Sequence, residues 1–187
     1  MGFWIQAIGI VAMAMNIVAY QFKSKRNLLL CMCGGSALFA INMLMLGAVT
    51  GGFMNILGVA RSLVYVNKDK LPIPVKMVNG MFITAYLLAY VMSFVLFGTE
   101  PSTRNFILEL LPVIAMSSMT LAFSGDNARI VRLSGFINSP CWLVYNIFNN
   151  AIGGILCEAF GLVSIITSLI RIDILGKKNV EEEKNPE

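Results

Sequence analysis

The chain is a succession of seven apolar runs, at 3–22, 28–47, 50–66, 75–97, 105–123, 130–149 and 152–173, joined by short polar links. A helix rising ~1.5 Å per residue needs about 20 residues to cross a ~30 Å hydrocarbon core. Runs of that length, placed so close together, leave room for little besides membrane-crossing helices. Composition agrees: 57% of the residues are hydrophobic and 13% charged, where soluble domains carry roughly 25% charged residues. The expected fold is an all-α membrane protein, one seven-helix domain over 1–175. The tail 176–187 is expected to be a solvated, disordered cytoplasmic end.

The charge pattern sets an expected orientation. Lys23, Lys25 and Arg26 follow the first run, and Lys68, Lys70 and Lys76 follow the third. Arg129 and Arg132 follow the fifth, and Arg171, Lys177, Lys178 and Lys184 end the seventh. The opposite side holds Arg104. Positive-inside bias puts the amino terminus outside and the carboxyl terminus in the cytoplasm. The net charge of +4 is therefore membrane topology, and no nucleic-acid partner is expected. The start, Met1-Gly2-Phe3-Trp4, has neither a basic leader nor a small-residue cleavage site; the first run reads as a retained span.

Several chemistries lack raw material. There is no histidine, which removes the commonest metal ligand and the usual acid–base group near neutrality. Cys31, Cys33, Cys141 and Cys157 all fall in apolar runs without a C-x-x-C spacing. They read as free buried thiols. No enzyme activity, metal or cofactor is expected.

The two ends of the chain align without a gap at an offset of 103 residues. Val11-Ala12-Met13 matches Ile114-Ala115-Met116, Arg26 matches Arg129, and Ser36 matches Ser139. Gly51 matches Gly154 and Gly58 matches Gly161. The offset brings runs one to three onto five to seven. That implies two parallel three-helix repeats, about 3–66 and 105–173, joined by a linker helix at 75–97: a 3+1+3 plan.

Glu158 is the most informative polar residue, because an ionisable group inside a span is costly unless paired or hydrated and so marks function. Its partner under the offset is Asn55. Gly51, Asn55 and Gly58 stand at i, i+4 and i+7, as do Gly154, Glu158 and Gly161. That spacing puts each trio on one helical face, and the glycines let neighbouring helices approach. Phe39 precedes Asn55 by sixteen residues, as Trp142 precedes Glu158. Asn42, Tyr145 and Asn146 lie about a turn further along the second and sixth runs. Phe39, Asn42, Asn55, Trp142, Asn146 and Glu158 together suggest a solute cavity with aromatic faces and a few convergent polar groups. For the asparagines, interhelical hydrogen-bond glue is an equal reading. Asn16, Ser117 and Ser118 are further candidates for the same cavity. Arg61 is expected to snorkel to the basic side, and Glu109 to sit exposed at the opposite interface. Pro112 and Pro140 interrupt the fifth and sixth runs, where prolines permit kinks.

Glu109-Leu110-Leu111-Pro112-Val113-Ile114, Cys141-Trp142, Asn146, Ile152-Gly153-Gly154 and Glu158 resemble the bacterial inner-membrane YgjV family over nearly the whole chain. That resemblance implies the bacterial inner membrane more than any activity. The plan also resembles the SWEET and PQ-loop transporters. Their sugar-carrying members line the substrate with an aromatic from the second helix of each repeat and an Asn from the third. The matching positions are Phe39 with Asn55 and Trp142 with Glu158. Phe39 and Glu158 depart from that pattern, and no clear Pro-Gln motif is present, which argues against a neutral sugar.

The expected function is small-solute transport by alternating access, with Glu158 as a proton-coupling group. The alternative is a non-transporting receptor or assembly factor on the same scaffold. The expected partners are a small solute and the bilayer, and the sequence leaves a homo-oligomer open.

Overall fold

The computed structural model describes residues 3–70, 72–96, 98–149 and 151–174. Seven α-helices follow one another: α1 (Phe3–Ala19), α2 (Lys25–Met45), α3 (Val49–Val66), α4 (Val75–Val95), α5 (Thr103–Ser124), α6 (Ala128–Phe148) and α7 (Ile152–Ser168). A 3₁₀ turn, Lys68–Lys70, follows α3, and a wider π turn, Leu169–Ile174, ends α7. No strand occurs among the described residues. The expected tail lies outside them.

The seven expected runs become seven helices, but not seven equal ones. Five are long and apolar enough to cross a membrane: α2, α3, α4, α5, and α7 extended to Ile172. The first helix is apolar but has only 17 residues, about 26 Å at ~1.5 Å per residue. In α6 the length suffices at 21 residues, yet the helix carries Arg129, Arg132, Ser134, Asn138, Ser139 and Asn146. Half of these polar residues turn inward, since Arg132, Ser139 and Asn146 are all buried.

Local chemistry explains the helix ends. The hydroxyl of Ser102 accepts the Asn105 amide at 3.2 Å and starts α5. The side-chain oxygen of Asn127 accepts the Arg129 amide at 2.9 Å and starts α6. Such caps satisfy amides that have no partner within the helix. Between α2 and α3 the chain turns at Gly47, where φ is +77°, a conformation only glycine adopts without strain. The Ala48 amide then reaches back to Met43 O at 2.9 Å. The helices run through Pro112 and Pro140 without ending.

The packing forms a closed circuit. The second helix packs on α1 and α3, and α6 packs on α5 and α7. The two groups meet along α1 with α7 and along α3 with α5, while α4 rests on α3 and α5. One core cluster, holding Tyr20, Leu28, Tyr65, Phe123, Val131 and Ile165, fills the end of the bundle near the basic connections. A second holds Met54, Tyr86, Met116, Trp142 and Tyr145 around α3, α4, α5 and α6.

Candidate functional site

A small, partly open cavity lies inside the circuit, with a volume of about 80 Å³. Every helix except α4 contributes to its wall. Of the six residues singled out from sequence, Phe39, Asn55, Trp142, Asn146 and Glu158 line it. Asn42 does not: its carboxamide nitrogen donates to Ile5 O of α1 at 2.6 Å, and its side chain packs on Gly9. At Asn42 the structure fits interhelical glue.

Each lining residue has a local reason for its position. The ring of Phe39 is buried on α2, and Trp142 on α6 meets Tyr145 edge-on at 5.6 Å between ring centroids. The carboxamide of Asn55 donates to Gly51 O, one turn back on its own helix, at 2.9 Å. Asn146 presses against α7, where a Cβ on Gly154 would stand 2.5 Å from its Nδ2. Glycine there is what allows α6 and α7 to close. The Asn146 Oδ1 is enclosed and has no hydrogen-bond partner. The Ser139 hydroxyl lies beside the Glu158 carboxylate without completing a hydrogen bond.

Positions related by the 103-residue offset have related neighbours. Ser36 Oγ lies 3.4 Å from where a Cβ on Gly58 would stand, and Ser139 Oγ lies 3.9 Å from the same point on Gly161. Met43 Sδ lies 3.2 Å from the Cβ position of Gly51, just as Asn146 faces Gly154.

Several expectations need correction. Arg61 does not snorkel. It is 5% exposed and lines the cavity, with Nη1 donating to Met116 O at 3.0 Å and the guanidinium lying 4.6 Å over the Phe123 ring. The packing of α3 on α5 captures it before it can reach an interface. Glu109 is only half-buried, but its Oε2 is enclosed and unpartnered, so it is not simply exposed at an interface. Ser117 and Ser118 stay out of the cavity wall, and Ser118 bonds Ala115 O on its own helix at 2.8 Å. Asn16 is in the wall, next to the Cys157 thiol.

Sequence reasoning missed Tyr20, Ser36, Asn138 and the methionines Met32, Met43, Met116 and Met119, all of which line the cavity. For Arg61 a signal existed. It follows Gly58 by three residues, which puts it on the flank of the glycine face. For the methionines none did, since nothing in an apolar run distinguishes a lipid-facing Met from a cavity Met. Among the described residues no cluster of His, Cys, Asp or Glu could hold a metal ion.

Comparison with known proteins places the chain. Residues 3–174 match the model of Imp-YgjV, a family of bacterial inner membrane proteins. The chain is also 23% identical over 188 aligned residues to the inner membrane protein YgjV of Escherichia coli (strain K12), covering 98% of this chain and 94% of that one. No solved structure matches. The chain belongs to the Imp-YgjV family and is a multi-pass protein of the bacterial inner membrane.

Proposed function

We propose that this member of the family is a small-solute transporter that works by alternating access, on a 3+1+3 plan with the amino terminus outside. The observation that carries the reading is the central cavity, whose wall draws on six helices and leaves out α4. A solute site at the interface of two structural repeats is what alternating access requires. Three further facts support the plan. Under the offset, the contact of α1 with α7 maps onto that of α5 with α3. The serine–glycine pairs Ser36–Gly58 and Ser139–Gly161 also map onto each other. The helix outside the cavity, α4, is the one with no repeat partner.

Within this reading Trp142 and Phe39 offer flat faces to the solute, Asn55 and Asn146 offer hydrogen bonds, and Glu158 offers a group that can exchange a proton. The unpartnered Oδ1 of Asn146 suits an acceptor awaiting a donor. Rocking of the two halves would open the cavity first to one side, then to the other.

The test needs no knowledge of the solute. Replace Cys31, Cys33, Cys141 and Cys157 by serine, then introduce Ser36→Cys, an isosteric change in the cavity wall. Treat right-side-out and inverted membrane vesicles with a membrane-impermeant thiol reagent. Alternating access predicts labelling from both sides. Labelling from one side only refutes it and favours the receptor or assembly-factor reading.

A further inference from the structure

An arginine and a carboxyl group share the cavity wall without pairing with each other. Arg61 is 95% buried, since 5% of its surface is exposed. Its Nη1 has a backbone carbonyl, but its Nε is enclosed with no partner. A guanidinium cannot shed its proton, so it remains a cation in a place where cations are ordinarily paired. Among the described residues no carboxylate pairs with it. The ion pair that is formed, Lys68 with Asp126, lies at the connections following α3 and α5.

Glu158, on the facing wall, has no cationic partner among the described residues, and its polar neighbour is the Ser139 hydroxyl. Among the described residues no salt bridge joins the two side chains. Arg61 follows Asn55 by six residues, about 9 Å along the helix axis, while Glu158 is the offset partner of Asn55. Tyr20 stands within electrostatic reach of both Arg61 and Glu158. Trp142 and Phe39 line the same space, and aromatic faces attract ammonium groups.

A neutral solute would leave Arg61 without an anion and Glu158 without a cation. A simple amine would leave Arg61 unpaired, and a simple carboxylate would leave Glu158 unpaired. We infer that the solute is a zwitterion, with its anionic group at Arg61 and its ammonium at Glu158. This rests on the cavity being the solute site of the transport reading, and it names the substrate class for that site.

The experiment is equilibrium binding by isothermal titration to the purified full-length protein. The probes are glycine, 4-aminobutyrate and 6-aminohexanoate, each beside the amine and the carboxylate of the same chain length. Because the separation of the two charges selects the chain, at least one amino acid should bind roughly ten-fold or more tightly than both single-charge analogues, as charged hydrogen bonds allow. Arg61→Gln should reduce that amino acid to the affinity of the amine, and Arg61→Lys should restore part of the difference. Glu158→Gln should reduce it to the affinity of the carboxylate. The inference is overturned if an analogue with one charge binds as tightly as the amino acids, or if no probe binds. The wild-type comparison decides the matter even if a variant fails to fold. Binding reports nothing about flux, so a zwitterion held by a cavity labelled from one side would sink transport alone. Two-sided labelling with no zwitterion bound would sink the substrate class alone.

Discussion

The contact of α1 with α7 is fastened by a small polar clasp whose removal has a calculable effect. Gln21 Nε2 donates to Ser164 Oγ at 2.8 Å and to Ser164 O at 3.1 Å. The Ser164 hydroxyl donates in turn to Ile17 O at 2.8 Å. Arg171 Nη2 donates to Gln21 Oε1 at 2.8 Å and holds the carboxamide in place. Ser164→Ala removes the two bonds of the hydroxyl and leaves the one to the backbone carbonyl. Interhelical hydrogen bonds in membrane proteins average about 0.6 kcal/mol, so the expected loss is about 1.2 kcal/mol. Thr167→Val is the control. That hydroxyl also bonds a carbonyl, but the carbonyl of Val163 in its own helix, and the residue is exposed. Its expected effect lies within about 0.5 kcal/mol of zero. Unfolding by titration with sodium dodecyl sulfate in mixed micelles reads both values. A cycle with Gln21→Leu should give a coupling near 0.6 kcal/mol for the Gln21–Ser164 pair. If Ser164→Ala costs no more than Thr167→Val, the clasp does not hold the two helices together and the reasoning fails.

Gly154→Ala should destabilise by about 1–3 kcal/mol through overpacking, because the new methyl would meet the Asn146 carboxamide at 2.5 Å. Gly80→Ala in α4, where nothing lies within 4 Å of the new methyl, should instead stabilise by up to about 1 kcal/mol; paired melting curves check the opposite signs. The Asp126 carboxyl is held below its ordinary value of 3.8 by the hydrogen bond and charge of Lys68. A carboxyl lowered on folding stabilises above its unfolded value and loses that contribution as pH falls through its folded value. Asp126→Asn should therefore lower stability slightly at pH 7, converge with wild type as pH falls below about 4, and so flatten the acid limb of the profile. Melting temperatures from pH 7 to pH 3 would show it, and an unchanged acid limb would exclude the pair as its source.

Helix positions were legible because the length of an apolar run is a direct physical demand of the bilayer. The cavity residues on α3 and α7 were legible because two glycines and one polar residue at helical spacing mark a face. Arg61 was misplaced because distance from a helix end says nothing about a neighbouring helix. Only the contact with α5 supplies the Met116 carbonyl and the Phe123 ring that hold it inside. Asn42 and Asn146 look alike in sequence. They differ because Asn42 meets the Ile5 carbonyl while Asn146 meets a glycine without a side chain. The polarity of α6 leaves it short of the hydropathy of a free-standing span.

That shortfall has a consequence for how the molecule is made. On the ribosome α6 emerges late, carrying Arg132 about one turn inside its first residue, Ala128. Its guanidinium donates to Phe22 O at 3.2 Å, an acceptor in the link between α1 and α2. That link was synthesised more than a hundred residues earlier. A bond of this span forms only when the two halves have come together, so α6 depends on the first half for part of its polar contacts.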